Sequence, residues 1–446
     1  MAKRRNRRGK PLPTEAVEIT IDSLSHEGRG VGRLEGKTVF VDRALPGETV
    51  QMKYTFQRGK FDEGRAISIE NPHPDRVEPP CEHFSVCGGC SMQHLSTDAQ
   101  IAHKQIILEE QLKHFANTKP QQWLPPLQAD LLGYRSKARL GVRYVIKKER
   151  TLIGFREKYS NYLADIEHCP VLRQQVDDLL QPMSRLIDQM DSRLFIPQIE
   201  VACGDHQIAL IIRHLQPMTE KDHGLWVTFA KEHQLLVFLQ PKGPKTVHRI
   251  WPLEDEEAQL SYSLKEFGLE MLMEPLDFAQ VNASINQQMI PLALDLLDLQ
   301  EDDQVLDLFC GLGNFTLPLA TKVKHVVGVE GVEDMVDRAT KNAAHNKLSN
   351  VEFYQADLTA DLTDKPWVNR QYTKILIDPA RSGALEVIAN IVKFNPQKIV
   401  YVSCNPATLA RDTGELVKAG YKLIKAGVMD MFPHTTHVES IALFEK

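Results

Sequence analysis

The sequence has no hydrophobic run long enough to predict a membrane-spanning segment, and no apolar stretch near its start that would indicate a signal peptide. It has no excess of positive charge either, because 53 Lys and Arg residues are outnumbered by 59 Asp and Glu residues, for a formal net charge of −6. Seven cysteines in 446 residues are too few for a disulfide scaffold. We therefore expect a cytoplasmic protein with no membrane partner, in which nucleic-acid binding depends on local basic patches.

The composition is otherwise that of a globular protein with two or three domains, since 42% of the residues are hydrophobic and 25% are charged. Residues 1–13 differ from this average. They contain several Lys and Arg residues, no acidic residue and no apolar periodicity. We interpret residues 1–13 as a disordered basic arm.

Residues 14–70 have the pattern of a small β-barrel. Apolar and polar residues alternate over residues 17–22, a glycine-rich turn follows at residues 28–33, and further short strand-like runs come after it. The predicted loops carry basic residues that suit a phosphate backbone, although such residues are often only solvated surface. These residues are Arg29, Arg33, Lys37, Arg58 and Lys60. The stretch resembles the TRAM domain, an RNA-binding barrel of the OB type that is found attached to RNA-modifying enzymes.

Four cysteines mark residues 71–274, which we interpret as a central α+β domain behind a proline-rich linker. Cys81, Cys87 and Cys90 are separated by five and two residues, and Cys169 lies far downstream. Four thiolates can hold zinc or a [4Fe-4S] cluster, and the spacing does not choose between them. Because four protein ligands leave no iron open to a reactive cofactor, we expect a structural metal site and not a radical enzyme.

Two further patterns lie in the central domain. One predicts a helix that packs against the core, and the other predicts a strand face that could contact RNA. An amphipathic helix is predicted between residues 97 and 117, with Thr97 and Gln100 placed for a capping box. Arg135, Lys137 and Arg139 recur at every second position, so a strand would put them on one face, where they could track phosphates. Their neighbours Tyr134 and Tyr144 could stack on bases, although a solvated sheet face explains the pattern equally well.

From about Pro275 onwards, strand and helix signals alternate, which predicts a doubly wound, Rossmann-like parallel sheet over residues 275–446. Successive predicted strands end in polar residues, which the winding of such a sheet brings to one edge. These residues are Glu330, Asp357 and Asp378.

The loop after the first of these strands, with Gly311 and Gly313, allows a ligand to approach the backbone, and Glu330 is placed to accept ribose hydroxyl groups. The dinucleotide motif is incomplete because Thr316 stands at the third glycine position. S-adenosylmethionine, which has no phosphates, therefore fits the loop better. Its amino acid end would meet Asn314, and its adenine would meet Asp357.

Cys404 follows another apolar run, residues 398–402, at the point where Pro406 forces the chain out of the sheet. A lone cysteine is more often a packing residue, as we interpret Cys203. The polar ends of the neighbouring strands favour a functional thiol at position 404.

Five motifs together resemble the RNA uracil-C5 methyltransferases, and the resemblance extends over nearly the whole chain. The motifs are DFAQVN at 277–282, DLFCGLGNF at 307–315, DPAR at 378–381, SCNPAT at 403–408 and HVES at 437–440. Among these enzymes, the TRAM barrel with four cysteines is most similar to the bacterial branch that methylates 23S rRNA, in which the four positions bind a [4Fe-4S] cluster. The sequence departs from many relatives in the wider class at Ala380, where they have a second proline.

The resemblance implies a role for each matching residue. Cys404 would be the nucleophile and Glu439 the base. The residues implied in binding S-adenosylmethionine are Gln280, Phe309, Asn314, Glu330, Asp357 and Asp378. Addition of a thiolate at C6 makes the otherwise inert C5 of uracil able to accept a methyl group, and a base must then remove the C5 proton.

The expected partner is a single-stranded or loop uridine of 23S rRNA, and we expect a monomer. Several alternatives stay open, including a uridine in tRNA or elsewhere in rRNA, and a non-catalytic RNA-binding or assembly factor on the same fold. A methyltransferase for exocyclic amino groups would need no Cys404 and would have an aromatic residue in place of Arg381.

Overall fold

The computed structural model describes residues 12–253, 258–360 and 362–446. All but two residues of the predicted basic arm, 1–13, lie outside these ranges. The chain divides into two compact units: the first comprises Met1–Phe84, Cys90–Ala102 and His434–Thr436, and the second comprises Ser85–Gly89, His103–Pro433 and His437–Lys446. Within the described ranges, no helix is long and apolar enough to cross a membrane.

The first unit contains a closed five-stranded barrel, which confirms the β-barrel predicted over residues 14–70. Its strands pair in the order β1-β2-β3-β5-β4, with β4 returning to β1, and alternate residues such as Ile19 and Ile21 fill the interior. A Cβ on Gly32 would lie 2.4 Å from the carbonyl oxygen of Thr20, so glycine allows β1 and β2 to approach closely. The strands are β1 Val17–Leu24, β2 Gly30–Leu34, β3 Lys37–Asp42, β4 Thr49–Gln57 and β5 Phe61–Glu70.

Residues 71–274 form a six-stranded sheet in the order β12-β11-β10-β9-β7-β8, together with a hairpin, β13-β14. The elements in chain order are α1 Thr97–Gln111, β6 Gln122–Trp123, β7 Lys137–Val145, β8 Arg150–Gly154, α2 Gln174–Asp177, α3 Leu180–Asp188, β9 Gln198–Cys203, β10 Ile208–Arg213, α4 Glu220–His233, β11 Leu235–Gln240, β12 His248–Trp251, β13 Leu260–Leu264 and β14 Leu269–Met273.

The remaining residues form the predicted doubly wound sheet, and its five parallel strands are ordered β17-β16-β15-β18-β19. The elements are α5 Ala283–Leu297, β15 Gln304–Leu308, α6 Thr316–Ala320, β16 His325–Glu330, α7 Glu333–His345, β17 Val351–Gln355, β18 Lys374–Ile377, α8 Leu385–Phe394, β19 Lys398–Ser403, α9 Pro406–Lys418, β20 Lys422–Met429 and β21 Glu439–Glu445. The strand order reverses between β15 and β18, and ligands bind at such a point in open α/β sheets.

Two antiparallel strands and one distant segment complete this sheet. β21 pairs with β19, β20 pairs with β21, and the short β6 adds to β20 in parallel. No sequence pattern predicted that Gln122–Trp123, from the segment interpreted as the central domain, would form the edge of the C-terminal sheet. The boundary placed at 274/275 stays a prediction.

Two expectations for the central segment are wrong: the capping box formed by Thr97 and Gln100, and the stacking of Tyr134 on a base. The capping oxygen of α1 comes from Ser96, whose Oγ accepts the amide of Ala99 at 3.4 Å, while Gln100 donates its side-chain amide to the carbonyl of Leu95. Tyr134 is buried, and its hydroxyl donates to the carbonyl of Pro433 at 3.3 Å, so its ring is not available for base stacking.

The basic residues of β7 alternate with buried residues as predicted, but they differ in exposure. Arg139 is exposed and paired with Glu200, whereas Lys137 donates to the backbone carbonyl of Asp277 inside the protein. Burial lowers the pKa of Lys137, against the opposing influence of Asp277. Lys137 therefore supports the site described below. Only the exposed basic residues of β7, such as Arg139, are available to contact a phosphate backbone.

Candidate active site

A cavity of about 1100 Å³ opens at the carboxyl ends of the parallel strands. Its lining brings together most of the residues that the sequence predicted for cofactor binding and catalysis. They are Gln280, Phe309, Asn314, Glu330, Asp378, Cys404 and Glu439. Residues from six different stretches of the chain therefore converge on one concave site, as expected for a ligand-binding site of this size.

The loop between β15 and α6 forms one wall of the cavity. Phe309, Gly311 and Gly313 have positive φ angles of 66°, 57° and 97°, which turn the backbone sharply after the strand. The Glu330 carboxylate accepts the amide of Gly311 at 3.1 Å and the amide of Val332 at 3.0 Å. The amide of Gly331 also donates to the carboxylate, at 2.8 Å, to the same oxygen as the amide of Val332. These bonds orient both carboxylate oxygens and leave a lone pair on Oε2 that can accept a ribose hydroxyl group of a nucleoside.

Thr316, which replaces the third glycine of a dinucleotide motif, has a structural role. Its hydroxyl donates to Asp307 Oδ2 at 2.5 Å, and so joins the start of α6 to β15. Burial and the nearby carboxylates of Asp378 and Glu330 raise the pKa of Asp307 to about 8, although the bond from Thr316 opposes the rise. At neutral pH Asp307 is thus largely protonated and adds little charge to the site.

Asn314 is held by two residues that the sequence did not identify. Its side-chain amide exchanges hydrogen bonds with Asn286 on α5, at 2.9 and 3.1 Å, and its Oδ1 also accepts the Tyr262 hydroxyl at 2.9 Å. Tyr262 and Asn286 lie far from the glycine loop in the chain, so no local pattern could have found them. They fix the orientation of the amide against the cavity.

The segment 277–281 forms the opposite wall and is fixed by charged partners. Arg338 Nε donates to Asp277 Oδ2 at 2.9 Å, and the backbone amide of Glu274 donates to the same oxygen at 2.7 Å. With Lys137 on the Asp277 carbonyl, these contacts hold the backbone that presents Gln280 to the cavity.

Cys404 lies between the last residue of β19 and Asn405, the N-cap of α9. The Asn405 side chain accepts the amide of Ala407 at 3.1 Å, and Pro406 occupies the first helical position, where no amide donor is needed. The thiol is half-buried in the cavity wall. Burial, with the carboxylates of Glu439 and Asp378, raises its pKa to about 11, and Arg381 opposes the rise.

Glu439 is the first residue of β21 and pairs with Met429 across the sheet. Burial and the nearby Asp378 raise its pKa to about 8, against the charges of Arg381 and Lys104. Burial alone raises the pKa of Asp378 to about 7. The site thus combines a thiol with a carboxyl group that releases its proton near neutral pH, the combination that nucleophilic addition and proton abstraction need.

One predicted cofactor residue does not join this group. Asp357 does not line the cavity; it is exposed after β17, where its Oδ1 accepts the amide and the hydroxyl of Thr359 at 3.0 and 2.7 Å. Its predicted contact with adenine stays a prediction. Cys203 is buried, as expected for a core thiol, and burial raises its pKa to about 11.

Cys169 is buried, and Cys81, Cys87 and Cys90 are partly buried. Cys81 and Cys90 belong to the first compact unit, whereas Cys87 and Cys169 belong to the second. Over the described ranges, no group of three or more His, Cys, Asp or Glu side chains is arranged to hold a metal ion. Four thiols have the chemistry that a cluster needs, and the [4Fe-4S] cluster stays a prediction.

Comparison with known proteins agrees with this geometry. A model of the family described as tRNA (uracil-5-)-methyltransferase matches residues 96–446, and a TRAM domain model matches residues 13–67. The chain is 52% identical over 440 residues to the 23S rRNA (uracil(1939)-C(5))-methyltransferase RlmD of Alcanivorax borkumensis, covering 99% of each protein. It is also 52% identical over 446 residues to the protein of the same name from Hahella chejuensis, covering 99% of this chain and 100% of the relative.

Among solved structures, the chain is similar to the tRNA (uracil-54, C5)-methyltransferase of Pyrococcus abyssi in complex with S-adenosyl-L-homocysteine, with a TM-score of 0.73 over 96% of this chain and 100% of the other. At 22% identity, this similarity concerns the fold. The family model and the relatives that are half identical over the full length confirm the resemblance that the motifs indicated, and the chain belongs to the tRNA (uracil-5-)-methyltransferase family.

Proposed function

We propose that the protein methylates C5 of a uridine in 23S rRNA, with S-adenosylmethionine as the methyl donor. The observation that carries the proposal is that Cys404 and Glu439 line the same cavity as the glycine loop and Glu330. The relatives named as 23S rRNA enzymes match nearly all of the chain, which favours rRNA over tRNA as the substrate.

The cofactor, when bound, supplies an electrophilic methyl group. Glu330 would hold its ribose, and Asn314, Phe309 and Gln280 would line the rest of its site. This arrangement fits because the Glu330 carboxylate is already oriented by the amides of Gly311 and Val332.

Cys404 and Glu439 act on the base in sequence. Cys404 attacks C6 of the uracil as a thiolate and forms a C–S bond, and the electron pair of the C5–C6 double bond moves towards C5 and O4. C5 then takes the methyl group. Glu439 removes the C5 proton, the C5–C6 double bond re-forms, and the Cys404 thiolate leaves. The base has to leave its stack to reach such a cavity, which a loop nucleotide does most easily.

Two substitutions separate these roles. Cys404→Ala should give neither a covalent RNA adduct nor methylation, because nothing can add to C6. Glu439→Gln should still add and transfer the methyl group but release slowly, so a cysteine-linked, methylated RNA should accumulate as a shifted band on a denaturing gel. The wild-type enzyme should be arrested in the same way by 5-fluorouridine at the target, because fluorine does not leave as a proton does.

A folded Glu439→Gln protein that gives no shifted band would contradict the assignment of Glu439 as the base. The target itself is identified by mapping C5-methyluridine in rRNA and tRNA from a strain that lacks the protein. Loss from tRNA with intact 23S rRNA would reassign the substrate.

We also propose that Cys81, Cys87, Cys90 and Cys169 bind a [4Fe-4S] cluster with a structural role. The support is the spacing of the four cysteines in the sequence and the resemblance to the 23S rRNA branch. Anaerobically purified protein should be brown and contain roughly four irons per chain, as a cubane cluster requires. Colourless protein with one zinc ion would contradict this proposal and leave the methylation proposal untouched.

A further inference from the structure

A hydrogen-bonded network connects helix α9 to the loop that follows β18, and the reaction described above does not use it. Its centre is Asp412, whose side chain is fully buried. Asp412 Oδ2 accepts the backbone amide of Ala384 at 2.7 Å and the hydroxyl of Tyr401 at 2.7 Å. Its Oδ1 accepts Nε of Arg411 at 2.8 Å.

Arg411 extends the network to the loop. Its Nη2 lies 2.7 Å from Asp412 Oδ1 and also donates to the carbonyl of Ser382 at 2.9 Å. Asn405, the N-cap of α9, donates its side-chain amide to the carbonyl of Arg381 at 3.1 Å. These hydrogen bonds therefore hold residues 381–384 against the first half of one helix.

The loop packs so closely on this helix at residue 383 that there is no room for a side chain. Gly383 has a φ of 81°, and a Cβ at this residue would lie 2.6 Å from both Arg411 Nη2 and Asp412 Oδ2. The backbone thus packs directly against the guanidinium and the carboxylate. The position of a buried carboxylate with four donors is strongly constrained, because losing any donor leaves a polar group buried without its hydrogen bond, which costs free energy.

Arg381, the first of residues 381–384, lines the cavity together with Cys404 and Glu439. Its Nη2 donates to Nδ1 of His437 at 3.0 Å. Burial and the carboxylates of Glu439 and Asp378 raise the pKa of the Cys404 thiol, and the charge of Arg381 opposes this rise. Among the charged groups that act on Cys404, Arg381 is the cation that favours the thiolate.

We propose that Arg411 and Asp412 are positioning residues for the nucleophile: they hold residues 381–384 on α9 so that the Arg381 guanidinium stays beside the Cys404 thiol. This inference rests on the proposed role of Cys404 and extends it to two residues outside the cavity. It predicts that weakening the network affects the reactivity of Cys404 through Arg381, and not only the stability of the fold.

The test follows alkylation of Cys404 in the full-length protein by iodoacetamide, from pH 7 to 11, with the modified peptide quantified by mass spectrometry. No RNA or cofactor is needed, so the result does not depend on whether the proposed substrate is correct. Arg411→Met removes the donors to Asp412 and Ser382 from a side chain that is 38% exposed. We expect at least a threefold slower alkylation at pH 8, with a difference from the wild type that becomes smaller as the pH approaches the pKa of the thiol.

Two controls distinguish positioning from folding. Lys418→Met removes the same charge from the last residue of α9, where Lys418 donates to Glu415 and not to residues 381–384, and should leave the alkylation rate at the wild-type value. Arg381→Gln should slow alkylation as Arg411→Met does, and the double variant should be no slower than Arg381→Gln alone, because both changes act through one guanidinium.

The proposal is overturned if Arg411→Met lowers the melting temperature while Cys404 alkylation stays at the wild-type rate, since Arg411 would then only stabilise the fold. It is also overturned if the two substitutions slow alkylation additively, because Arg411 would then act on Cys404 independently of Arg381. Failure of the proposed methylation appears instead on the RNA gel, and does not change either outcome.

Discussion

Several acidic side chains lie at the edge of the sheet that the C-terminal ends of the parallel strands form. Their carboxyl groups retain their protons at higher pH than carboxyl groups in water. The pKa is raised to about 8 for Asp307, about 7 for Asp378 and about 8 for Glu439. Burial is the largest cause for each, because charge is poorly solvated in the interior of the protein. The edge therefore carries less negative charge than the sequence alone implies, and this limits how far its carboxylates raise the pKa of Cys404.

The raised pKa of Glu439 predicts the pH dependence of the release step. A base must be deprotonated to act, so the rate of release should rise about tenfold for each pH unit below 8 and level off above it. Single-turnover measurements of product release from pH 6 to 9 test this.

A matched variant tests the assignment of this pH dependence. In Glu439→Gln the residual release rate should lose the rise centred near pH 8, whereas the chemistry of Cys404 addition should keep its own dependence on the thiol, whose pKa is about 11. A release rate in the wild type that is flat between pH 6 and 9 would exclude Glu439 as the titrating base.

At the scale of elements, a buried ion pair joins α1 to the end of β20. Lys104 and Asp430 are both almost fully buried, with Nζ 2.6 Å from Oδ1, and Lys104 also donates to the carbonyl of Phe432 at 3.0 Å. Burial lowers the pKa of Lys104, and Asp430 opposes this change. The pair attaches a helix from early in the chain to the segment that leads into β21 and Glu439.

Breaking this pair should be costly. Lys104→Met leaves Asp430 buried without its cation, and should lower the free energy of unfolding by about 3–5 kcal/mol. Lys104→Met combined with Asp430→Leu should recover most of this loss, because no unpaired charge remains. Lys113→Met, at an exposed position just after α1, should change stability by less than about 0.5 kcal/mol. Urea denaturation of the four proteins measures these differences, and equal effects for Lys104 and Lys113 would contradict the argument.

At the scale of the whole molecule, the barrel, which the TRAM domain model matches, carries an exposed aromatic ring with basic neighbours. Phe56 is 41% exposed at the end of β4, and the Arg58 guanidinium lies 4.7 Å from its ring centroid. Arg58 and Lys60 are exposed in the loop between β4 and β5. An exposed aromatic ring with neighbouring cations is suited to stacking on a base and contacting phosphates.

Neutralising this loop should weaken RNA binding without affecting the cofactor. For Arg58→Gln with Lys60→Gln, the slope of log affinity against log salt should decrease by about 0.7 for each phosphate that the loop no longer neutralises. Affinity for S-adenosylmethionine should be unchanged. Lys393→Gln with Lys418→Gln removes the same charge from exposed positions on α8 and α9 and serves as the control. An equal decrease of RNA affinity in both double variants would show a general charge effect and no specific role for the barrel.

Local patterns in the sequence determined the strands of the barrel and of the parallel sheet, and the residues at the strand ends. Apolar runs such as β18 and β19 are buried on both faces, so their composition and their ends can be recognised without the fold. The carboxyl ends of parallel strands lie at one edge whatever the packing, and this is why Glu330, Asp378 and Cys404 were correctly expected to meet.

Contacts between distant segments were decided only by the tertiary structure. Tyr262 and Asn286 hold Asn314, and Arg411 reaches the carbonyl of Ser382, through packing that no local periodicity encodes. The exposure of Asp357 likewise depends on how its loop turns after β17. Burial also sets the pKa values of the cavity, because the cost of desolvating a charge depends on neighbours brought together from the whole chain. The positions of the strands and of the residues at their ends thus follow from local sequence, whereas the orientation and the protonation of the side chains in the cavity follow from the assembled fold.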